Sequence, residues 1–397
     1  MSAYALDWLN LVARWFHITA GIAWIGASFY FVWLDNHLTP PRKAADAGDG
    51  VLGEVWSVHG GGFYHNQKYL TGPRSEPLTH DLHWFKWEAY ATWFSGMAML
   101  AIVYWAGAST FLIDRSVLAI GPAAAIAVSI GSIVVGWLVY DALCRALFAR
   151  PVVLGAIIYA AGVAAAYGLF HVFSGRAAYI HVGAIIGTIM VANVFFVIIP
   201  GQRAMLAQIR AGEEPDPRPG RLGKIRSVHN TYLTLPVLFI MISNHYPMTY
   251  GAPYAWLVLA ALGAAGVLVR RFFILTHARR YVPALLAAAA VLIVGVAVAL
   301  APHGGALQAG SATFATAGPI VAQRCAVCHA ANPTQPGFSA PPQGVMLDTP
   351  ERIAAMAQRI DEQAVRTRAM PLGNITGMTD DERATLGAWI AGGAKLR

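Results

Sequence analysis

Charge is scarce in this chain. Of its 397 residues only 12% are Asp, Glu, Lys or Arg, about half the roughly 25% of an ordinary soluble domain. Hydrophobic residues make up 57%, which excludes a soluble enzyme. Cysteine is scarcer still: three residues are too few for a disulfide framework. Met1 to Asp7 has no basic stretch ahead of the first apolar run, so that run is expected to be a retained helix and not a cleaved signal. Internal repeats and long low-complexity tracts are also absent.

What is present is a series of apolar runs confined to residues 1–301, each of about 20 residues and so long enough to cross a hydrocarbon core of roughly 30 Å. Hydropathy and helix punctuation together predict eight spanning helices, near 8–33, 84–106, 117–143, 151–173, 179–200, 229–245, 253–273 and 282–301. An even number returns the chain to the side where it began. Sixteen Lys and Arg lie toward one side, from Arg42 and Lys43 through Arg145 and Arg226 to Arg270 and Arg280, against Arg115 and Arg176 on the other. Basic loops resist translocation, so both termini are expected outside the cytoplasm, on the periplasmic side of a bacterial inner membrane. The formal charge of +8 is then largely topology; it is not a nucleic-acid footprint, and the partner it implies is the lipid bilayer.

Residues 302–313 form a linker rich in glycine and small residues, and 314–397 a small soluble domain. Its strongest signal is Cys325-Ala-Val-Cys328-His329. Two thiols at this spacing can form thioethers to haem vinyl groups while His329 takes an axial position, so one covalent haem c is expected. Four methionines follow, Met346, Met356, Met370 and Met378. Met370, ahead of Pro371 in a loop between two predicted helices, is the choice for the second iron ligand. The last helix opens with a capping box, Thr379 to Glu382, and its apolar face should pack on a helix near Phe314 to Gln323. The whole therefore reads as all-α: an eight-helix transmembrane bundle followed by a class I cytochrome c domain.

Ionisable residues are expensive in lipid, so histidines within the bundle are candidate functional groups. His17, His181 and His245, toward the outer side, could supply axial nitrogens to one or two b haems, with Gly21, Gly26, Gly183 and Gly187 leaving room for a flat macrocycle; interhelical hydrogen bonding is the competing reading. On the inner side, His59, three consecutive glycines, Tyr64, His65, Lys68 and Tyr69 precede Trp84, Lys86, Trp87 and Glu88, and His229 and Asn230 open the sixth span. Glycines admit close backbone approach, lysines meet an anion, and aromatic rings cover a flat heterocycle. An interfacial aromatic belt with snorkelling lysines accounts for the same composition. Cys144 reads as a small apolar residue.

Several of these strings carry a resemblance: Arg14-Trp-Phe-His17 with Trp24-Ile-Gly26, Val58 to Tyr69, Trp84-Phe-Lys86-Trp87-Glu88-Ala-Tyr90, His181-Val-Gly, His229 to Pro236 and the closing CxxCH. Together they resemble the bacterial integral-membrane, cytochrome c-linked urate oxidases, also called urate hydroxylases, over nearly the whole chain. The resemblance implies oxidation of urate to 5-hydroxyisourate, with electrons leaving through the cytochrome to a respiratory cytochrome or terminal oxidase and no peroxide formed. It implies no individual catalytic role. From the residues alone, Lys68 and Lys86 are expected to neutralise the anion. Tyr64, Tyr69, Trp84 or Trp87 would stack on it, Asn230 would offer a hydrogen-bonding edge, and His59, His65, His229 or Glu88 would accept protons. The competing readings are a quinol:cytochrome c-type electron-transfer protein and a non-enzymatic redox sensor or transporter with a cytochrome tail.

Overall fold

The computed structural model describes residues 3–75, 78, 81–301 and 312–397, so most of the expected linker lies outside the described residues. In hydrocarbon every backbone N–H and C=O must be satisfied within its own segment, and the apolar runs accordingly fold as helices. Helix α1 spans Ala3–His37, followed by α2 (Ala44–Gly48) and the strands β1 (Val51–His59) and β2 (Gly62–Tyr69). The chain re-enters as α3 (Trp87–Met99), which continues as a π-helix over Leu100–Trp105. Next come α4 (Pro122–Ala146), α5 (Pro151–Phe170) and α6 (Gly175–Ala192), a π-helical turn at Asn193–Ile198 and α7 (Ile199–Arg210). Helices α8 (Pro217–Ser243), α9 (Pro247–Tyr250), α10 (Ala255–His277) and α11 (Ala284–Ala299) complete this part. Proline opens α4, α5 and α8, where its missing N–H leaves nothing unsatisfied.

Six of these helices are long and apolar enough to cross a membrane: α1, α4, α5, the rod running from α6 through α7, α8 and α10. The expected spans at 84–106 and 282–301 are present as shorter helices, α3 with its π continuation and the 16-residue α11. Large apolar side chains face outward along the bundle, such as Trp15, Ile22, Leu138 and Val291 at 73%, 68%, 57% and 71% exposure. Helices apolar on every face, with such side chains uncovered, are compatible with lipid as the solvent.

The segment 51–69, read from sequence as a loop, is an antiparallel hairpin that pairs Trp56 with His65 and His59 with Gly62. Gly60 and Gly61, with φ of 59° and 80°, form its two-residue turn. Positive φ at both positions is what a tight hairpin requires, so these glycines serve the turn and not a ligand cradle. Asp35, near the end of α1, ties the hairpin to α8 through ion pairs with Lys68 at 2.6 Å and with Lys224.

The C-terminal domain contains α12 (Phe314–Arg324), α13 (Pro350–Ala355), α14 (Ala357–Ile360) and α15 (Asp380–Ala391). Its core buries Ala317, Val321, Ile353, Leu386 and Trp389, and Phe314 meets Trp389 at 5.7 Å between ring centroids. Capping boxes at Thr313 and Thr379 start α12 and α15. Arg324 Nη2 joins the two helices through Glu382 at 2.9 Å.

This domain rests on the end of the bundle opposite the hairpin. Ser339 Oγ donates to Asp7 at 3.1 Å, and backbone meets backbone at two glycines. A Cβ on Gly373 would lie 2.3 Å from Ile113 O, and one on Gly251 2.2 Å from Thr367 O. Gly373 also has φ of +54°, a conformation L side chains rarely adopt.

Two outcomes follow from these contacts. Gly251→Val overpacks the seam and costs it about 1–3 kcal/mol. A short bis-maleimide cross-link between Thr110→Cys and Leu372→Cys, which line one cleft at the seam, forms in the parent and is lost in the Gly251→Val background; an unchanged yield contradicts the docking. Burial raises the Glu382 pKa, but the Arg324 and Thr379 hydrogen bonds outweigh it and hold the carboxyl below its usual 4.5. A depressed pKa contributes stability above the unfolded value and loses it as pH falls through the folded one. Acid unfolding of the C-terminal domain below that range is therefore less pH-dependent in Glu382→Gln, read by circular dichroism.

Candidate functional site

Among the described residues α4, the π-helical turn and α8 build a buried polar cluster. Asn193, wholly buried, donates from Nδ2 to Tyr140 Oη and to Asn230 Oδ1, both at 2.9 Å. Tyr140 Oη lies 2.8 Å from His229 Nδ1. Arg226 donates to Asn193 Oδ1 at 3.3 Å and pairs with Asp141 at 2.5 Å, its guanidinium 5.1 Å from the centroid of the Tyr140 ring. Asn230 Nδ2 ends the ladder on Met190 O at 2.9 Å. The π-turn rotates Asn193 into this cluster in mid-helix, an irregularity that recurs at functional sites. Cys144 Sγ sits 3.8 Å from His229 Nδ1, so it lines the cluster and is more than a small apolar filler. Chemically the group offers an imidazole that can exchange a proton, two amides with fixed donor and acceptor edges, and a neutralised guanidinium.

The sequence pointed to His229 and Asn230 but not to Tyr140, Asp141, Asn193 or Arg226. The available signal was a polar residue inside an apolar run, which Asp141 and Asn193 both display. Two arginines counted as inner-loop charges also prove to be elsewhere. Arg226 and Arg270 lie within α8 and α10 and are only 6% and 5% exposed.

The remaining inner-side candidates fall into two other groups. On the hairpin, His65 Nε2 meets Glu54 Oε2 at 3.0 Å and its ring stacks on Trp56 at 4.4 Å. Backbone N–H of Arg42 is the largest influence holding the Glu54 carboxyl below its usual range, with His65 adding to it against burial. Lys68 is committed to Asp35, Tyr69 Oη donates to Gln67 at 3.1 Å, Tyr64 is exposed, and His59 is exposed beside the turn. At the entry to α3, Lys86 lies 5.3 Å from the Trp87 ring and His83 stands 4.0 Å from Glu88, whose buried Oε2 has no hydrogen bond. Trp84 is met by the Arg203 guanidinium at 5.9 Å. The expected single inner pocket is thus three separate groupings.

Toward the docked end, His181 is wholly buried. Its Nε2 lies 2.6 Å from Ser129 Oγ and its Nδ1 2.7 Å from Ala177 O, while Trp105 Nε1 donates to the same hydroxyl at 2.9 Å. His17 places Nδ1 2.9 Å from Thr92 O and 3.1 Å from Ser95 Oγ, against Gly96, where a Cβ would lie 3.1 Å from the ring. His245 is exposed beyond α8. Among the described residues no hydrogen bond or ring contact joins any two of these three. A Cβ on Gly183 would lie 2.6 Å from Ile240, so this glycine serves helix packing, whereas Gly26 and Gly187 have open space beside them.

In the C-terminal domain Cys325 and Cys328 are both free. His329 Nδ1 meets Val345 O at 3.0 Å, which fixes the proton there and leaves Nε2 its lone pair, the arrangement an axial ligand needs. Of the four methionines, Met378 is 3% exposed within the core. Met370 is partly buried, its N–H donating to Gln363 O at 2.9 Å and its carbonyl accepting from Arg383 at 2.8 Å. These donors fit a covalently attached haem.

A family model described as Urate oxidase N-terminal matches residues 3–301. Neither a curated protein nor a solved structure is significantly similar to the chain.

The buried ladder sets a stability expectation. Asp141→Asn leaves Arg226 buried beside a neutral partner and lowers stability by about 3 kcal/mol, and Asn193→Ala, which strips partners from Tyr140 and Asn230, by about 1–3 kcal/mol. Because the residues share one network, the double variant loses less than the sum, read by thermal unfolding in detergent; strict additivity contradicts a single ladder.

Proposed function

We propose, for a chain that belongs to the urate oxidase N-terminal family, an oxidoreductase that strips electrons from urate within the helical bundle and passes them to its own C-terminal cytochrome. In this reading the bundle has eight spans, α3 and α11 completing the six longer ones. Both termini and the tail are periplasmic, the membrane is the bacterial inner membrane, and the final acceptor is a respiratory cytochrome or terminal oxidase. The observation that carries it is the seating of the Met370 loop on the bundle: Gly373, three residues on, abuts Ile113 O. A domain built to move electrons is thereby held against the domain that matches the family.

Urate at neutral pH is a planar anion. Its conversion to 5-hydroxyisourate consumes one water and releases two electrons and two protons. The cluster around His229 suits that chemistry. With its proton on Nδ1 the imidazole donates to Tyr140 Oη, and Nε2 is free to take a proton from substrate or water. Asn230 and Asn193 hold amide edges at fixed orientation, and Asp141 keeps Arg226 in place. Lys68, bound to Asp35 of α1, and His65, bound to Glu54 of the hairpin, are assigned to structure here, and Trp84, Lys86, Trp87 and Glu88 to the approach from that end. Cys325, Cys328, His329 and Met370 would hold a haem that accepts one electron at a time. Carriers between cluster and tail, one or two b haems on His17, His181 or His245, belong to the same proposal, since about 30 Å of hydrocarbon is too far for one transfer.

His229→Ala and Tyr140→Phe separate the contributions. His229→Ala is expected to lower the turnover of urate by roughly 10²–10⁴-fold, and Tyr140→Phe, which loses the orienting bond to His229 and the acceptor for Asn193 Nδ2, by about tenfold, with 5-hydroxyisourate followed by absorbance and hydrogen peroxide absent in every variant. Unchanged turnover in His229→Ala overturns the placement. Reduction of the tail by a quinol but not by urate overturns the substrate.

A further inference from the structure

Arg270 is the buried cation that none of the foregoing uses. It is 5% exposed, on α10, and its Nε and Nη2 are buried without a hydrogen-bond partner. Its guanidinium carbon lies over the ring of Phe29 of α1, 4.2 Å from the centroid. Other cations of this region are committed: Arg226 to Asp141, Lys68 and Lys224 to Asp35, and Arg271 to Tyr232 Oη at 3.0 Å. An unpaired guanidinium inside a membrane bundle costs several kcal/mol as it stands, so its retention points to a partner of opposite charge.

The two open donors are adjacent on one edge of the planar group. That edge is the one that meets two acceptors side by side, as on a carboxylate or on an anionic ring with a carbonyl beside a deprotonated nitrogen. The cation–π contact with Phe29 holds the guanidinium in place. Helix packing gives the depth. Gly266 abuts Leu235 and Pro236 of α8, with a built Cβ 3.2 and 3.3 Å from them. One turn toward the hairpin end on each antiparallel helix brings Arg270 level with Tyr232, and one further turn along α8 is His229.

We propose that the Nε–Nη2 edge of Arg270 binds the anionic edge of the substrate, one helical turn from the His229 cluster. This rests on the reading of urate as substrate. It supplies the positive charge that the His229 cluster, where Arg226 is neutralised by Asp141, does not.

The test uses the full-length protein in detergent, with urate as probe. The parent is stabilised by urate in thermal unfolding. Arg270→Met is expected to lose that ligand-induced shift and to raise KM by roughly 30-fold or more, the loss of charge-assisted hydrogen bonds, while the melting temperature without ligand stays the same or rises because an unpaired buried charge is gone. Arg270→Lys recovers part of the KM. An unchanged KM and an unchanged urate shift in Arg270→Met overturn the assignment. So does a lower ligand-free melting temperature with normal KM, which makes the residue structural, and so does loss of b-type absorption with normal KM, which gives the edge to a haem carboxylate. A parent that neither binds nor oxidises urate overturns the functional reading itself, an outcome distinct from a normal parent with a silent variant.

Discussion

A polar group placed in hydrocarbon must find a partner or bear a cost of several kcal/mol, and the arrangement of this protein follows from how each such group meets that demand. Along the apolar helices, backbone hydrogen bonds are satisfied within each helix. Several side chains that break the apolar surface are paired across helices: His17 with Thr92 and Ser95, His181 with Ser129, Asp141 with Arg226, and Asn193 with Tyr140 and Asn230. These pairs hold α1 to α3, α4 to α6 and α4 to α8. Lipid-buried helices gain little from hydrophobic association, so hydrogen bonds and close glycine contacts such as Gly183 on Ile240 set which helices are neighbours. Arg270, the buried guanidinium left with two open donors, departs from the pattern.

The two ends of the bundle are built differently. At one, charges are reachable by water, and the ion pairs of Asp35 pin a hairpin whose apolar residues Trp56, Val58 and Phe63 stay exposed. At the other, the closeness of Gly251 and Gly373 to opposing carbonyls brings a second domain into backbone contact. In the proposed function substrate chemistry and electron collection occupy separate domains, and that second contact must then be firm, because electron transfer falls steeply with distance. Small residues make it firm without adding bulk.

Much of this was legible in the sequence, for reasons that can be named. Apolar runs bounded by proline and glycine mark helices because length and hydropathy are local properties, and α4, α5 and α10 lie close to the expected ranges, while α8 begins at Pro217, twelve residues ahead of the expected span. Capping boxes at Thr379 and the CxxCH spacing are local as well. The hairpin was not recognised because strand 51–59 mixes its burial and because three glycines suggest a ligand as readily as a turn. The partners of His229 were not recognised because Tyr140 and Asn193 lie 89 and 36 residues away, and only packing brings them together. Depth was misread for Arg226 and Arg270, since an arginine among other basic residues near the end of an apolar run looks the same whether it faces water or another helix.

The account turns on electrons leaving urate inside the bundle and arriving at the C-terminal domain. The most direct measurement is an anaerobic titration of the oxidised full-length protein with urate, following the c-type absorption bands together with loss of urate. The account predicts that the bands move to the reduced form as urate disappears, with two electrons delivered per urate consumed. Conversion of urate while the C-terminal domain remains fully oxidised would contradict it.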